Sequence, residues 1–269
     1  MEPKNVGVKI AGNVVMNSFR VLGIRVDAVQ SDDVLAILDG WKRNPPKECV
    51  LISSTNVNNV MCSLELPLMK TATNDAGISL PDSVPFLWLG RLRGYPLRQR
   101  CGIQEIMLEV FEKRDYRHFF FGNTPQVLET LKARLLEQYP KLQICGTFSP
   151  PFGKFSKEQN AEYVALINKT RPDFVWVSLG CPRQEMWIEE NRAGINALAA
   201  GGAGAVFDFL AGGTSRAPEW IQYAGLEWVY RLMIDPKKLW RRYLVRYPKF
   251  MLLFSLDLLR IGKMRQGET

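Results

Sequence analysis

Short apolar runs rich in β-forming residues recur along the chain, and most of them lead into a helical pattern. FRVLGIRV at 19–26 leads into SDDVLAILDGWKR, where Ser31 or Asp32 is placed to cap a helix. CVLISSTN at 49–56 reads as a buried strand ending in hydroxyl and amide side chains. HFFFGN at 118–123 precedes TPQVLETLKARLLEQY, with Thr124 as N-cap and Pro125 at the first helical position. LQICGTF at 142–148 is a strand, and Ser156 caps the amphipathic helix after it. DFVWVSLG at 173–180 is followed by a helix with Pro182 at its start, and INALAAGGAG at 195–204 is a last strand running into glycines. Strands separated by single helices imply βαβ units, hence an α/β, Rossmann-like, doubly wound and mostly parallel sheet. The chain has no internal repeat and no low-complexity linker.

In such a sheet ligands bind outside the carboxyl ends of the strands. That rule gives weight to GISLPDSVPFLW, where an apolar run stops at Pro81 and Asp82 follows at once. Asp82 is either a helix N-cap or a carboxylate presented to the ligand rim; the local pattern leaves both open. Other strand ends are polar too: Ser54 and Asn56 in SSTN, Gly122 and Asn123 in FGN, Gln184 in LGCPRQE, and Gly202, Gly204 and Asp208 in GGAGAVFD. If the strands are parallel, these ends form one rim. GGAGAVFD is close to a dinucleotide fingerprint, but Phe207 stands at the third glycine and no acid follows at the usual distance. A nicotinamide-dependent sugar-nucleotide oxidoreductase is therefore the weaker enzyme reading. Glycines that let backbone approach a ligand diphosphate are the stronger one. No Asp-x-Asp pair, His/Cys cluster or Walker lysine pattern occurs, so neither a metal site nor a cofactor is expected. His118 is the only histidine and opens a strand, so a structural role is expected. Cys181 sits where a helix N-terminus can lower its pKa, yet with no histidine nearby in sequence it reads as a packing residue.

Five cysteines with no close spacing argue against a disulfide framework and for a reducing compartment. The N-terminus lacks the long apolar stretch of a signal peptide, and no run of 18 apolar residues is present to cross a membrane. The net charge of +8 is uneven: from Arg216 onward there are 11 Lys and Arg against 5 Asp and Glu. Strand patterns also stop there. The chain divides into an α/β core over 1–216, which holds every expected strand and should fold without the remainder, and a helical appendage over 217–269. In the appendage Trp, Tyr and Leu alternate with Arg and Lys, with breaks expected at Pro236 and Pro248. That composition suits an anionic membrane surface. The plainer reading is a helical cap with solvated charges, and the non-enzymatic alternative is a basic membrane-binding module; nucleic acid is not expected as a partner.

Together SSTN, LPDSVPFLW, PPFG at 150–153, LGCPRQEMWI, GAVFDFLAGGTSRAPEW and GLEWVYRLMIDPKKLWRRYL resemble the WecG/TagA/CpsF glycosyltransferases, family 26. The resemblance spans roughly residues 19–247, with the motifs in the family's order. It implies an inverting transferase that moves N-acetylmannosamine, its uronic acid or glucose from a UDP-sugar onto a polyprenyl-diphosphate-linked glycan. The implied process is synthesis of bacterial cell-wall or surface polysaccharide, without a required metal. The implied place is the cytoplasm, peripheral on the inner face of the plasma membrane, and a homo-oligomer is in keeping with the family.

By the same resemblance Asp82 is the catalytic base, and Ser54 and Asn56 contact donor or acceptor hydroxyls. Gln184 lies beside the sugar, Arg100 near the donor and Asp208 in the same pocket. Arg231 and Arg241 match arginines of the family's tail. Departures are Ser83 in place of the usual glycine, Lys154 in place of an aromatic, Lys238 in place of an arginine, and a choice of Gln104 or Glu105 for the acid after Arg100.

Overall fold

The computed structural model describes residues 8–10, 14–113, 115–213, 217–218, 220–221 and 226–266. Arg216, the expected boundary, lies outside the described residues. Two antiparallel pairs open the chain: β1 (Val8–Ile10) with β2 (Val14–Met16), and β3 (Ser18–Val21) with β4 (Ile24–Asp27). FRVLGIRV is thus a hairpin, not one strand. Leu22 and Gly23 take φ of 51° and 81°, as a two-residue type I′ turn requires. Helix α1 (Ser31–Arg43) is capped by Gln30, one residue before the expected caps, with the Gln30 N–H donating to the Asp33 carboxylate at 2.9 Å.

The remaining core reads β5 (Val50–Thr55), α2 (Val57–Glu65), α3 (Pro67–Asn74), β6 (Ile78–Pro81), α4 (Val84–Leu92), α5 (Ile103–Lys113), β7 (Arg117–Gly122), α6 (Pro125–Gln138), β8 (Gln143–Phe148), α7 (Lys157–Lys169), β9 (Phe174–Ser178), α8 (Arg183–Asn191), β10 (Ala199–Gly202) and α9 (Val206–Leu210). Strands β5 to β10 form one parallel sheet in the order β6–β5–β10–β9–β7–β8. Thr124 and Ser156 cap α6 and α7 as expected.

Alternation along each strand feeds two cores. Ile52, Phe120, Phe174, Trp176 and Ala199 pack toward α1, α5, α6 and α9. Leu51, Phe119, Phe121, Val175, Val177 and Ala200 pack toward α3, α7 and α8. Apolar side chains on both faces of a strand explain why these runs read as continuous rather than alternating. Connections leaving β5, β8 and β9 go to one face, and those leaving β6, β7 and β10 go to the other. Neighbouring strands therefore send their chains apart, and a crevice opens along the whole carboxyl edge.

His118 is fully buried and structural. Its Nδ1 accepts from Trp176 Nε1 at 3.1 Å, and its ring stacks on Phe174 and Trp176. Burial pushes its pKa down to about 3. The unfolded chain takes the proton near pH 6.5 and the folded chain does not, so stability falls as pH drops from there toward 3, approaching ~1.4 kcal/mol per pH unit. Asp27, which burial pushes up to about 6 beside Arg25, acts in the opposite sense. The test is urea unfolding of the wild type and His118→Gln at pH 7 and pH 5.5. The wild type should lose more stability over that interval; equal losses would remove the assignment.

In the tail, α10 (Glu227–Ile234) and α11 (Pro236–Trp240) break at Pro236 as expected. Pro248 does not break the chain: a π-helical turn over Arg241–Arg246 runs straight into α12 (Tyr247–Gln266). The wider turn lies where the missing Pro248 N–H would leave an ordinary helix one bond short. Lys238 lies in α11, with its side chain outside the described residues. The appendage is not detached from the core. Phe250 and Phe254 are buried in a third cluster with Phe86 of α4, Val60 of α2 and Phe19 of the hairpin. Among the described residues no helix is long and apolar enough to cross a membrane.

Candidate active site

The carboxyl edge of the sheet opens into a cleft of about 2030 Å³. Asp82 is in its wall, directly after β6, and is not a helix cap. The α4 cap position belongs to Ser83, whose Oγ accepts instead from the Val57 N–H at 3.2 Å. The Asp82 backbone is tied to Thr55 O at 3.0 Å. Its carboxylate accepts from Ser54 Oγ at 2.8 Å and pairs with Arg100 at 3.6 Å, with about a quarter of each of the two charged side chains exposed. Ser54 therefore positions the carboxylate. Gly102 explains how Arg100 and α5 come so near: a Cβ there would stand 2.9 Å from Asp82 Oδ1 and 2.8 Å from Glu105 Oε2. Gln104 and Glu105 both line the cleft, and Glu105 accepts from the Gly102 N–H at 3.2 Å. The carboxylate brought beside Asp82 is Glu105.

Along the rim, Asn56 uses its side-chain oxygen to cap α2, accepting from the N–H groups of Asn58 and Asn59. Its amide donates to Ser54 O at 3.3 Å, so Asn56 shapes the β5 end while facing the cleft. Gln184 Oε1 accepts from the Gly180 N–H at 3.1 Å, and its amide lies where a Gly202 Cβ would be, 2.6 Å from that point. Asn123, with φ of 60°, donates to Asp208 at 3.3 Å. Gly204 and Asp208 both face the cleft. Gly122 does not line it. A Cβ there would meet Ser178 O at 2.3 Å, so this glycine serves close strand packing. Lys154 is exposed and away from the cleft wall, whereas Phe152 of the same loop stands at the rim fully exposed.

The tail supplies the opposite wall. Arg231 lines the cleft with its guanidinium over the Phe209 ring, 5.2 Å from the centroid, and so covers α9, which carries Asp208. Arg241 also lines it, beside Trp240. Four residues not singled out from sequence matter here. Glu185 is buried, with one oxygen accepting from Asn59 and Gln184 at 3.3 and 3.0 Å, and burial raises its pKa. Arg246 reaches from the tail to Asn58 and Glu65 at 3.2 and 3.0 Å. Arg242 and Tyr247 bond each other, and the Tyr247 phenol is pushed up by burial, with the Asp82 charge adding to the shift. For the three tail residues the spacing RRYLVRY, basic and aromatic groups on one helical face, was the available signal.

Within the described residues, then, one cleft joins Ser54, Asn56, Asp82, Arg100, Asn123, Gln184, Gly202, Gly204, Asp208, Arg231 and Arg241. The model of the glycosyl transferase WecG/TagA/CpsF family matches residues 19–263. The chain belongs to that family. As a member it is a glycosyltransferase. It is similar to the N-acetylglucosaminyldiphosphoundecaprenol N-acetyl-beta-D-mannosaminyltransferase of Bacillus spizizenii, 30% identical over 70% of this chain and 72% of that one. The Bacillus subtilis protein of the same name is 32% identical over 64% and 66% of the two chains. For the Staphylococcus aureus protein the figures are 30%, 54% and 57%. The family match reaches into α12, so the tail is part of the family's pattern and not an extra element.

Proposed function

We propose that this glycosyltransferase moves a hexosyl unit from a UDP-sugar onto a polyprenyl-diphosphate-linked glycan with inversion, using Asp82 as the base. N-acetylmannosamine is favoured over its uronic acid or glucose as the donor sugar, and an N-acetylglucosaminyl diphosphate lipid as the acceptor, because the relatives' names carry both. The observation that bears most on this is the Asp82 carboxylate, free of capping duty and aimed into the cleft between Ser54 and Arg100. In the reaction an acceptor hydroxyl gives its proton to Asp82 as its oxygen attacks the anomeric carbon. The bond from that carbon to the diphosphate breaks on the opposite face, and UDP departs. Charge growing on the diphosphate meets Arg231 and Arg241 from the tail, with the glycines of the β10 end allowing backbone to approach.

Attachment to the inner face of the plasma membrane fits a lipid-linked acceptor. It is supported by Leu244, Val245, Leu252, Leu256 and Leu259, all exposed on a basic segment.

The test is incubation with a panel of UDP-sugars and synthetic prenyl-diphosphate glycans, with products identified by mass. Transfer from UDP-N-acetylmannosamine to the N-acetylglucosaminyl lipid is expected. No transfer from any UDP-sugar, or NADH turnover instead, would sink the proposal. The same reaction in excess EDTA should proceed at an unchanged rate, since no group of three or more His, Cys, Asp or Glu among the described residues is placed to hold an ion. Loss restored by one metal would overturn that expectation.

A further inference from the structure

Helix α4, VPFLWLGRL, is apolar around most of its circumference, a pattern that ordinarily belongs to a fully buried helix. Only one side of it is covered. Phe86, Leu87 and Leu89 are buried in the cluster that also holds Phe250 of the tail. Val84, Trp88 and Leu92, each four residues from the last, share the other side. There Trp88 is 60% exposed and Leu92 68%. Val84 and Trp88 line the cleft, and Leu92 comes one turn later, outside it. The strip therefore starts two residues after Asp82 and runs roughly 12 Å along the helix, out of the cleft. Val245 and Met251 of the tail line the cleft as well, and both are exposed. The mechanism proposed above uses none of these side chains.

We propose that the Val84–Trp88–Leu92 strip carries the hydrocarbon chain of a prenyl diphosphate, the part of the acceptor that must leave the cleft while its sugar is at Asp82. This rests on the lipid-linked acceptor of the proposed function. Charge favours that occupant. From Ser83 to Gln104 there is no Asp or Glu, while Arg91, Arg93, Arg98 and Arg100 all fall in the stretch. Arg98 is exposed, and Lys249, exposed too, is in the cleft wall. A hydrocarbon chain that follows a diphosphate brings negative charge to this cationic rim. A second copy of the protein suits the face less well, because a two-fold contact would set the same acid-free stretch against itself.

The outer end of the strip is held in place by the chain itself. Arg91 Nε and Nη2 donate to Leu97 O and Arg98 O, each at 2.6 Å, bracing the loop that follows Leu92. With the sugar at one end of α4 and the prenyl chain along it, the direction in which the acceptor lies is fixed.

The experiment titrates the full-length protein by calorimetry with farnesyl diphosphate and, separately, with inorganic diphosphate. Farnesyl diphosphate should bind the wild type more tightly. Leu92→Ser and Trp88→Ser should each weaken it about tenfold and leave inorganic diphosphate unchanged, since contact with one large apolar side chain contributes about that factor. Both side chains are exposed, so the unfolding midpoints should stay at the wild-type value. Equal affinities for the two probes in the wild type, or wild-type farnesyl diphosphate affinity in both variants, would overturn the proposal. Variants that keep that affinity but no longer bind anionic liposomes would make the strip a bilayer contact instead. Variants that keep it but split a wild-type dimer would make the strip an interface between copies. A second arm depends on the glycosyltransferase reading. In Leu92→Ser the KM for a prenyl-diphosphate acceptor should rise about tenfold, with kcat and the KM for the UDP-sugar held. A fall in kcat alone would remove the strip from acceptor binding. If the wild type transfers no sugar while the farnesyl diphosphate titrations come out as expected, the transferase reading fails and the prenyl site stands.

Discussion

Replacing Asp82 with asparagine is expected to lower turnover ~10²–10⁴-fold while leaving UDP affinity close to that of the wild type. The substitution keeps the shape of the side chain and can still accept from Ser54 Oγ, which holds the carboxylate at 2.8 Å. It removes the negative charge that takes up the acceptor's proton. It also leaves Arg100 without the partner it has at 3.6 Å, so Arg100→Ala in the same background tells charge loss from rearrangement. UDP affinity should survive because the proposed diphosphate contacts are Arg231, Arg241 and the glycines of the β10 end, none of which the substitution alters. Steady-state turnover with the lipid acceptor and calorimetric UDP titration make the comparison. A variant keeping more than half the wild-type rate would rule Asp82 out as the base.

The parallel sheet was legible because all of its strands but the edge strand β8 are buried on both faces, which leaves continuous apolar runs such as HFFFG and FVWVS. The helix starts of α6 and α7 were legible because Thr124 and Ser156 cap through their own side chains. Other features depend on contacts that a one-dimensional pattern does not carry. The hairpin at Leu22–Gly23 looks like a continuous strand because its turn lacks the Asn-Gly or Asp-Gly pair that usually marks one. The local pattern at Asp82 fits a cap as well as a ligand-facing carboxylate, and only the fold shows that Ser83 holds the cap position. Gly122 looked like a ligand glycine because a close strand contact and a ligand contact both demand the missing Cβ. Site residues came mostly from resemblance. What local sequence did not disclose was that Arg242, Arg246 and Tyr247 return to the cleft wall, with Arg246 reaching back 188 residues to its partner Asn58.

Removing residues 217–269 is expected to destabilise the chain severely and to abolish transfer, contrary to the independent core that the strand distribution implies. Phe250 and Phe254 are 1% and 6% exposed, and Phe250 lies 6.1 Å from Phe86. Losing a buried phenylalanine costs about 3–5 kcal/mol. Two such losses approach the ~5–15 kcal/mol that holds an ordinary domain together. The exposed remnant would be the apolar faces of α2, α4 and the β3–β4 hairpin, so the shortened chain should also aggregate. Urea unfolding of Phe254→Ala in the full-length protein measures the packing share alone, and a loss of at least ~3 kcal/mol is expected. A shortened chain with an unfolding midpoint equal to the wild type would show the packing to be dispensable. Catalysis is separated from stability by reversing charge at Arg231 and Arg241, whose side chains lie in the cleft wall rather than in the core. With a soluble acceptor analogue, Arg231→Glu and Arg241→Glu should lower turnover while the unfolding midpoint and liposome binding hold, because the exposed leucines of α12 stay in place. If only liposome binding falls, the arginines serve attachment. If neither falls, closure of the tail over the diphosphate is not how the leaving group is stabilised.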